Sequence, residues 1–389
     1  MMRIRGRVLV LVVSMAVVAF AVVGGFMSNA LARQDSYQYL RTFEDVVSLI
    51  LNNYVEDVNV DKVMHGAMHG LADGLDPDSA FLDAAQVKVF EKGDFGGTGQ
   101  TGIELTRQYY LRVIAALDGS PAAKAGLMPG DYIRAIDGQS TRDTSVYEGQ
   151  RLLRGQPGTK VHLTLLRGNA AEPHEIDLVR EELPALAVKS RIAAPGIGYV
   201  RIAEFGKGTA DQIKSEVSSL TKAGARNLII DVRGTAFGDV DAGVAAARLF
   251  VKSGTLAYRQ DRGRDKEAIA AGAGDGSITT NTILLTDNGT ASGAEVFAAA
   301  LSGNKRATLM GERTLGRAAR QKLVRLPDGS ALMLTHLLYL TPASVAIHEK
   351  GLIPDVAVEQ PDVDFGQPAP AKDATLDKAI EQLTQKAAA

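Results

Sequence analysis

The chain has 389 residues, of which 46% are apolar and 23% are charged, and its formal net charge is −2. This length predicts two or three globular domains, and the near-neutral charge argues against a nucleic-acid-binding protein. The chain contains no cysteine, which excludes disulfides, thiolate metal sites and a cysteine nucleophile.

Residues 1–32 combine a basic start with an apolar run. Three arginines precede the uncharged run Val8–Met27, which is close to the roughly 20 residues that cross a bilayer. Ala30-Leu31-Ala32 has the form of a signal peptidase cleavage site. The segment therefore predicts a signal anchor, which we favour, or a cleaved signal peptide. Either one exports the rest of the chain, because the positive charge precedes the span.

Residues 36–94 have a helical pattern. Apolar side chains recur at three- and four-residue steps from Leu40 to Tyr54, which is typical of an amphipathic helix. A second helix is predicted over Asp61–Leu71, and Asp76-Pro77-Asp78 indicates a turn. This part of the chain is predicted to be a helical N-terminal region.

Residues 95–182 change to short β-like runs separated by turn residues, which predicts a small β-rich domain. The run from Gly119 to Gly138 resembles PDZ domains of the bacterial protease type. In such domains a peptide C-terminus adds as an edge strand, and backbone N–H groups hold its carboxylate. The resemblance places the carboxylate loop at Thr101-Gly102-Ile103-Glu104 and the groove helix at Tyr147–Leu153.

Residues 183–359 alternate strand and helix patterns, which predicts an α/β core with a β-sheet and flanking helices. Asn227–Val232 and Thr282–Leu285 are apolar runs typical of buried strands. Residues 360–389 are predicted to be a linker followed by a helix over Leu376–Lys386.

Ser292 lies between the buried strand Thr282–Leu285 and the predicted helix Ala294–Leu301. A serine at such a turn presents its Oγ at the sheet edge, where N–H groups of the helix start can stabilise an oxyanion. Ser292-x-x-Glu295 is also a capping box, which many helices use. On local sequence alone the nucleophile and the cap are equally good explanations.

The wider pattern resembles the C-terminal processing, or tail-specific, serine peptidases with a PDZ domain. Asn288-x-Thr290-Ala291-Ser292-x-x-Glu295 resembles their nucleophile motif. Further landmarks follow in the family's order over roughly residues 44–359. They are Leu75–Leu82 before the PDZ domain, Leu152–Thr159 at the PDZ helix end, Gly198–Val200 in the first protease strand, Leu228–Arg233 before the oxyanion loop, Arg306–Gly316 before the base, and Leu340–Pro342 with Gly351–Asp355 in the late core.

The resemblance implies a Ser/Lys dyad in which Ser292 is the nucleophile and a neutral lysine takes its proton. In this chain the lysine position is Arg317, and Gln321 stands where the family has a glutamine that orients the lysine. The pKa of arginine lies far above neutral, so its side chain stays protonated in proteins. Arg317 is therefore a poor base, and its presence puts catalytic activity in doubt.

The resemblance also implies that the N–H groups of Gly293 and of the loop near Gly238 form the oxyanion hole. The family carries an Asn-Pro-Gly-Gly-like run in this loop, whereas this chain has Gly234-Thr235-Ala236-Phe237-Gly238. Phe237 replaces a glycine, and a bulky residue resists positive φ. We expect one oxyanion donor to be displaced.

No motif calls for a cofactor or a metal. Gly97-x-Gly99-x-x-Gly102 lacks the preceding strand and following helix that a dinucleotide site needs. His65 and His69 have no glutamate between them and no evident third zinc ligand.

Two functions are consistent with the pattern. One is a serine endopeptidase that cleaves near protein C-termini, with Arg317 in the place of its base. The other is a pseudopeptidase that binds protein C-termini or unfolded chains and scaffolds or regulates an active protease. The N-terminal segment predicts that the chain lies on the periplasmic side of the inner membrane, anchored or released. The substrate, a homo-oligomer and an adaptor protein are left open.

Overall fold

The computed structural model describes residues 37–93, 95–168, 172–361, 363–367 and 372–388. The predicted signal segment, 1–32, lies outside these residues. Within the described part, no helix has the length and apolar character needed to cross a membrane.

Nine helices and nineteen strands are present in the described ranges. The helices are α1 (37–53), α2 (Val60–Asp73), α3 (Ala84–Lys92), α4 (Pro121–Lys124), α5 (Val146–Leu153), α6 (Thr209–Lys222), α7 (Val240–Arg248), α8 (Gly293–Gly303) and α9 (Ala374–Ala388). The strands are β1 (Ala80–Leu82), β2 (Ile103–Gln108), β3 (Tyr110–Ala116), β4 (Tyr132–Ile136), β5 (Gln139–Ser140), β6 (Lys160–Leu166), β7 (His174–Val179), β8 (Lys189–Ala194), β9 (Ile197–Arg201), β10 (Glu204–Phe205), β11 (Asn227–Asp231), β12 (Phe237–Gly238), β13 (Thr255–Asp261), β14 (Glu267–Ala270), β15 (Asn281–Thr286), β16 (Ala307–Gly311), β17 (Ala319–Arg325), β18 (Ala331–Leu340) and β19 (Val356–Ala357).

The chain divides into two compact units at Gly70–Leu71. The first unit contains α1 and most of α2, in agreement with the helical pattern predicted from the sequence. All of the remaining elements belong to the second unit.

An antiparallel sheet of order β2-β3-β4-β6-β7 forms the PDZ domain, and β5 pairs with β4. Apolar side chains that alternate along these strands, among them Leu105, Leu111 and Leu163, are fully buried in its core. Asp137 and Gly138 take positive φ in the tight turn between β4 and β5, as predicted from the Asp-Gly pair. Strand β2 is the edge of this sheet, next to α5.

A second sheet, of order β19-β16-β15-β11-β9-β8, forms the α/β core. Its neighbouring strands are parallel except for β8, which runs antiparallel to β9. Leu228 and Ile230 pack in the cluster that contains residues of α6, α7 and α8, while Ile229 packs in the cluster that contains α9. Burial of both faces explains the continuous apolar runs, and the predicted α/β core with a PDZ domain is confirmed.

The sequence analysis did not predict a third, antiparallel sheet of order β1-β18-β13-β14, with β17 paired to β18. Strand β1 comes before the PDZ domain in the chain, yet it pairs with β18 at residues 331–333. The PDZ domain is therefore inserted between two segments that both belong to the core. Strand β17 begins two residues after Arg317.

Candidate active site

Ser292 occupies a sharp turn between β15 and α8, with φ 57° and ψ −123°. A positive φ is uncommon for a residue with a side chain, and such strain persists only where the surrounding structure enforces it. The Ser292 side chain makes no capping hydrogen bond to α8. The Ser292 hydroxyl therefore does not cap α8, and the capping-box explanation is wrong for this hydroxyl.

Two contacts join the turn before Ser292 to the predicted oxyanion loop, 234–238. The Ala291 N–H donates to the Thr235 carbonyl at 2.9 Å, and the Gly234 N–H donates to Asp287 Oδ1 at 2.8 Å. Burial raises the pKa of Asp287 above its usual range, although the Gly234 N–H opposes this shift. The nucleophile turn and the oxyanion loop are thus held together by backbone groups and one buried carboxyl.

The two predicted oxyanion glycines lie where backbones approach closely. Gly238 has φ 105°, and a Cβ there would lie 2.0 Å from the Phe205 carbonyl oxygen. A Cβ on Gly293 would lie 2.5 Å from the Asp239 oxygen, and one on Gly243 would lie 2.1 Å from the Gly293 oxygen. The N-termini of α7 and α8 therefore meet at this point. Their N–H groups and dipoles favour negative charge, which is what an oxyanion brings.

Phe237 does not adopt the positive φ that a glycine would permit. It lies in β12, which pairs in parallel with β10, and its side chain packs in a small cluster with Ile114 and Ala115 of the PDZ domain and Ala291 of the nucleophile turn. The cluster joins the PDZ domain to the turn that carries Ser292.

Glu295 is fully buried in α8, three residues after Ser292. Its carboxylate accepts hydrogen bonds from Thr314 Oγ1 at 2.5 Å, the Gly316 N–H at 2.7 Å and the Arg317 N–H at 2.6 Å. Burial raises the pKa of Glu295 to about 7, against the opposing effect of these donors. The sequence placed Glu295 in a capping box and in the nucleophile motif but did not predict its bonds to residues 314–317. Glu295 ties the backbone of residue 317 to the helix that follows Ser292.

The Arg317 side chain is held by two carboxylates. Nε lies 2.9 Å from Asp78 Oδ1, and Nη1 lies 2.5 Å from Glu104 Oε1. Burial alone would lower the pKa of this guanidinium, but the two carboxylates outweigh it and hold the pKa above its ordinary value. Arg317 is thus a fixed cation, and Asp78 is a site residue that the sequence analysis missed.

Gln321 lies on β17, and its Nε2 donates to Thr335 Oγ1 at 3.2 Å across the β17–β18 pair. Arg317 and Gln321, which the resemblance implies act together, therefore bind different partners in this structure.

The predicted carboxylate loop leads into the PDZ edge strand. Thr101 is buried, and Gly102 takes φ 78°. The Ile103 carbonyl accepts a hydrogen bond from Gln150 of α5 at 3.3 Å. Glu104, the last residue of the loop, is the one that binds Arg317. In the described ranges, no group of three or more histidine and acidic side chains is placed to hold a metal ion.

A strained serine at the start of one helix, beside the N-terminus of another, is the arrangement of a serine hydrolase. An inserted PDZ domain, a module that binds peptides, is the feature expected of a serine hydrolase that acts on polypeptides. Residues 196–358 match the family model of Peptidase family S41, and residues 112–167 match that of the PDZ domain. The chain belongs to the carboxy-terminal processing proteases, a serine protease family.

Two relatives and one solved structure are similar to this chain over most of its length. It is 32% identical to the carboxy-terminal-processing protease of Bartonella bacilliformis, covering 88% of this chain and 83% of the relative. It is 34% identical to the carboxyl-terminal-processing protease of Synechocystis sp., covering 77% and 70%. The structure of the photosystem II D1 C-terminal processing protease matches with a TM-score of 0.67 and 28% identity, covering 82% of this chain and 92% of that one.

Proposed function

We propose that this protein binds the C-termini of polypeptides through its PDZ domain and is a pseudopeptidase at its Ser292 site. The observation that carries the proposal is the pairing of Arg317 with both Asp78 and Glu104. In this role the protein would scaffold or regulate an active protease rather than cleave the captured chain.

The chemical argument concerns the proton of Ser292. A serine nucleophile needs a neutral base, and burial can remove the charge of a lysine but not that of a guanidinium. The carboxylates of Asp78 and Glu104 stabilise the cation further. Arg317 keeps the positive charge of the lysine that the family resemblance implies and loses its ability to accept a proton.

The edge strand of the PDZ sheet supports peptide capture. In the described residues strand β2 pairs with one strand, β3, so its other edge has no strand partner and is the place where a peptide strand would add. Thr101 and Gly102 precede this edge and Ile103 begins it, where the resemblance places the carboxylate loop.

A second candidate function is a serine endopeptidase that cleaves near protein C-termini. The strained φ of Ser292 and its unused hydroxyl favour it, because a helix cap would require neither. The convergence of α7 and α8 near Gly293 also favours it. This function requires a base other than Arg317.

Cleavage of an unfolded protein separates the two functions. We would compare the wild type, Ser292→Ala and Arg317→Lys, with Arg313→Lys as the matched control because Arg313 is exposed in the same segment. We expect no cleavage by the wild type or Arg313→Lys, and cleavage by Arg317→Lys. Wild-type cleavage that Ser292→Ala abolishes would establish the endopeptidase instead. A PDZ domain with no affinity for any C-terminal peptide would contradict both.

We also propose that the protein is exported and acts on the periplasmic side of the inner membrane, anchored or released. The basic and apolar composition of residues 1–32 supports this location. Cell fractionation with a C-terminal epitope tag tests it, and recovery in the cytoplasm would contradict it.

A further inference from the structure

One ion pair connects the start of the C-terminal helix to the candidate active site. Arg233 Nη1 lies 2.8 Å from Asp373 Oδ1, and Nη2 lies 2.6 Å from Asp373 Oδ2. The same guanidinium donates to Asp231 at the end of β11, with Nη2 at 2.6 Å from Oδ2. The exposed fractions of these side chains are 19% for Arg233, 36% for Asp373 and 4% for Asp231. Arg233 is thus a largely buried cation between two carboxylates.

Arg233 also immediately precedes the predicted oxyanion loop. Its carbonyl accepts a hydrogen bond from Arg201 Nη1 at 2.6 Å, and the next N–H, that of Gly234, donates to Asp287 at 2.8 Å. The far end of the loop is held by the Asp239 N–H, which donates to the Phe205 carbonyl at 2.7 Å. Among these contacts, the ion pair with Asp373 is the one that connects this part of the chain to the C-terminal helix.

Helix α9 is firmly placed on the core. Ala379 and Leu383 are buried against Ile229, Leu285 and Met310, which lie in β11, β15 and β16. Asp373 precedes α9, and its Oδ1 accepts the Leu376 N–H at 3.0 Å. A carboxylate at this place both caps the helix and faces Arg233. Packing of α9 therefore fixes the position from which Asp373 binds the loop.

We propose that the C-terminal segment, residues 372–385, is a positioning element of the Ser292 site and that Asp373 acts through Arg233 to hold the predicted oxyanion loop in place. The match to the peptidase family model ends at residue 358, before this segment begins. The proposal rests on the second candidate function, the endopeptidase, in one respect: the loop matters because it carries Gly238, a predicted oxyanion donor. Loss of Asp373 would leave two N–H groups of a largely buried guanidinium without a carboxylate, which disfavours the present loop arrangement.

Hydrogen exchange of the full chain, read by mass spectrometry, tests this inference without requiring turnover. Asp373→Asn is the informative variant because asparagine caps a helix about as well as aspartate but cannot form the ion pair. We expect peptides covering 233–239 to exchange about tenfold faster, while β15 and the PDZ strand β3 keep their wild-type rates. Asp373→Glu, which keeps the carboxylate, should restore much of the protection.

Lys378→Gln is the matched control, because Lys378 lies on the same helix and its ion pair within the described residues is with Glu381. It should leave the exchange of 233–239 unchanged. Unchanged exchange in Asp373→Asn would overturn the inference, and so would an equal increase in 233–239 and β15, because α9 would then serve only global stability. These outcomes are independent of whether the wild type cleaves any substrate.

Discussion

Arg317 of the core and Glu104 of the PDZ domain form a direct ion pair, with Nη1 at 2.5 Å from Oε1. The two residues are 213 positions apart in the chain. Asp78 binds the same guanidinium. Arg317, which occupies the position of the base in the family resemblance, therefore joins its own segment to those of Asp78 and Glu104. In this chain Arg317 is a charged residue with a structural role.

Glu104→Gln should destabilise the protein because it leaves Arg317 with Asp78 as its sole carboxylate partner. Both side chains of the Arg317–Glu104 pair are 22% exposed, so solvent screens the interaction and we expect a loss of about 1 kcal/mol in the free energy of unfolding. Urea denaturation measures it. Glu91→Gln, which removes a more exposed pair with Arg325, should cost clearly less. Equal losses in the two variants would contradict a structural role for Arg317.

Gly243→Ala should disrupt the packing of α7 against α8 near Ser292. The added methyl group would lie 2.1 Å from the Gly293 carbonyl oxygen, which is backbone and cannot rotate away. We expect a loss of about 1–3 kcal/mol in the free energy of unfolding. Gly206→Ala is the control, since the nearest atom to its methyl group would be 3.8 Å away. A normal melting temperature for Gly243→Ala would show that the helices separate easily.

The stability of the wild type should depend on the ionisation of Glu295. Its pKa of about 7 in the folded protein exceeds the ordinary value of about 4.3, so the native state binds this proton more tightly than the unfolded state does. The contribution of Glu295 to stability is therefore largest below about pH 4.3 and is lost as the pH rises to about 7.

Glu295→Gln removes the titration of this carboxyl. The contributions of all other titratable groups cancel when the wild type and the variant are compared at the same pH. The free energy of unfolding of the wild type should fall by about 3 kcal/mol more than that of Glu295→Gln between these pH values. Urea denaturation at several pH values provides both curves. Parallel curves would mean that folding does not raise the pKa of Glu295.

Phe237→Gly should improve catalysis in an Arg317→Lys background. Glycine would let the oxyanion loop adopt the positive φ that phenylalanine avoids, and one oxyanion donor is worth about 10²–10³-fold in rate. We expect the double variant to cleave at least about tenfold faster than Arg317→Lys alone. Ile114→Ala removes a packing partner of Phe237 without changing the loop, so it should lower stability and leave the rate unchanged. No gain from Phe237→Gly would show that the donor is already in place.

The sequence by itself determined the elements whose signals are local. The apolar runs at Asn227–Val232 and Thr282–Leu285 predicted buried strands because both faces of the core sheet are covered. The Gly119–Gly138 run indicated the PDZ domain, and the strand–serine–helix order indicated the turn at Ser292. Each of these signals depends on residues a few positions apart, whose spacing follows from strand and helix geometry.

Only the tertiary structure decided which partners distant residues bind. Strand β18 was missed because its pairing with β1, β13 and β17 depends on segments from across the chain. Asp78 lies 239 positions before Arg317, and Asp373 lies 140 positions after Arg233. A charged side chain has the same local pattern whether it faces water or a buried partner, so sequence periodicity cannot distinguish the two. The arginine at the base position was evident from the sequence, but its two carboxylate partners became apparent only once the folded chain had brought them together.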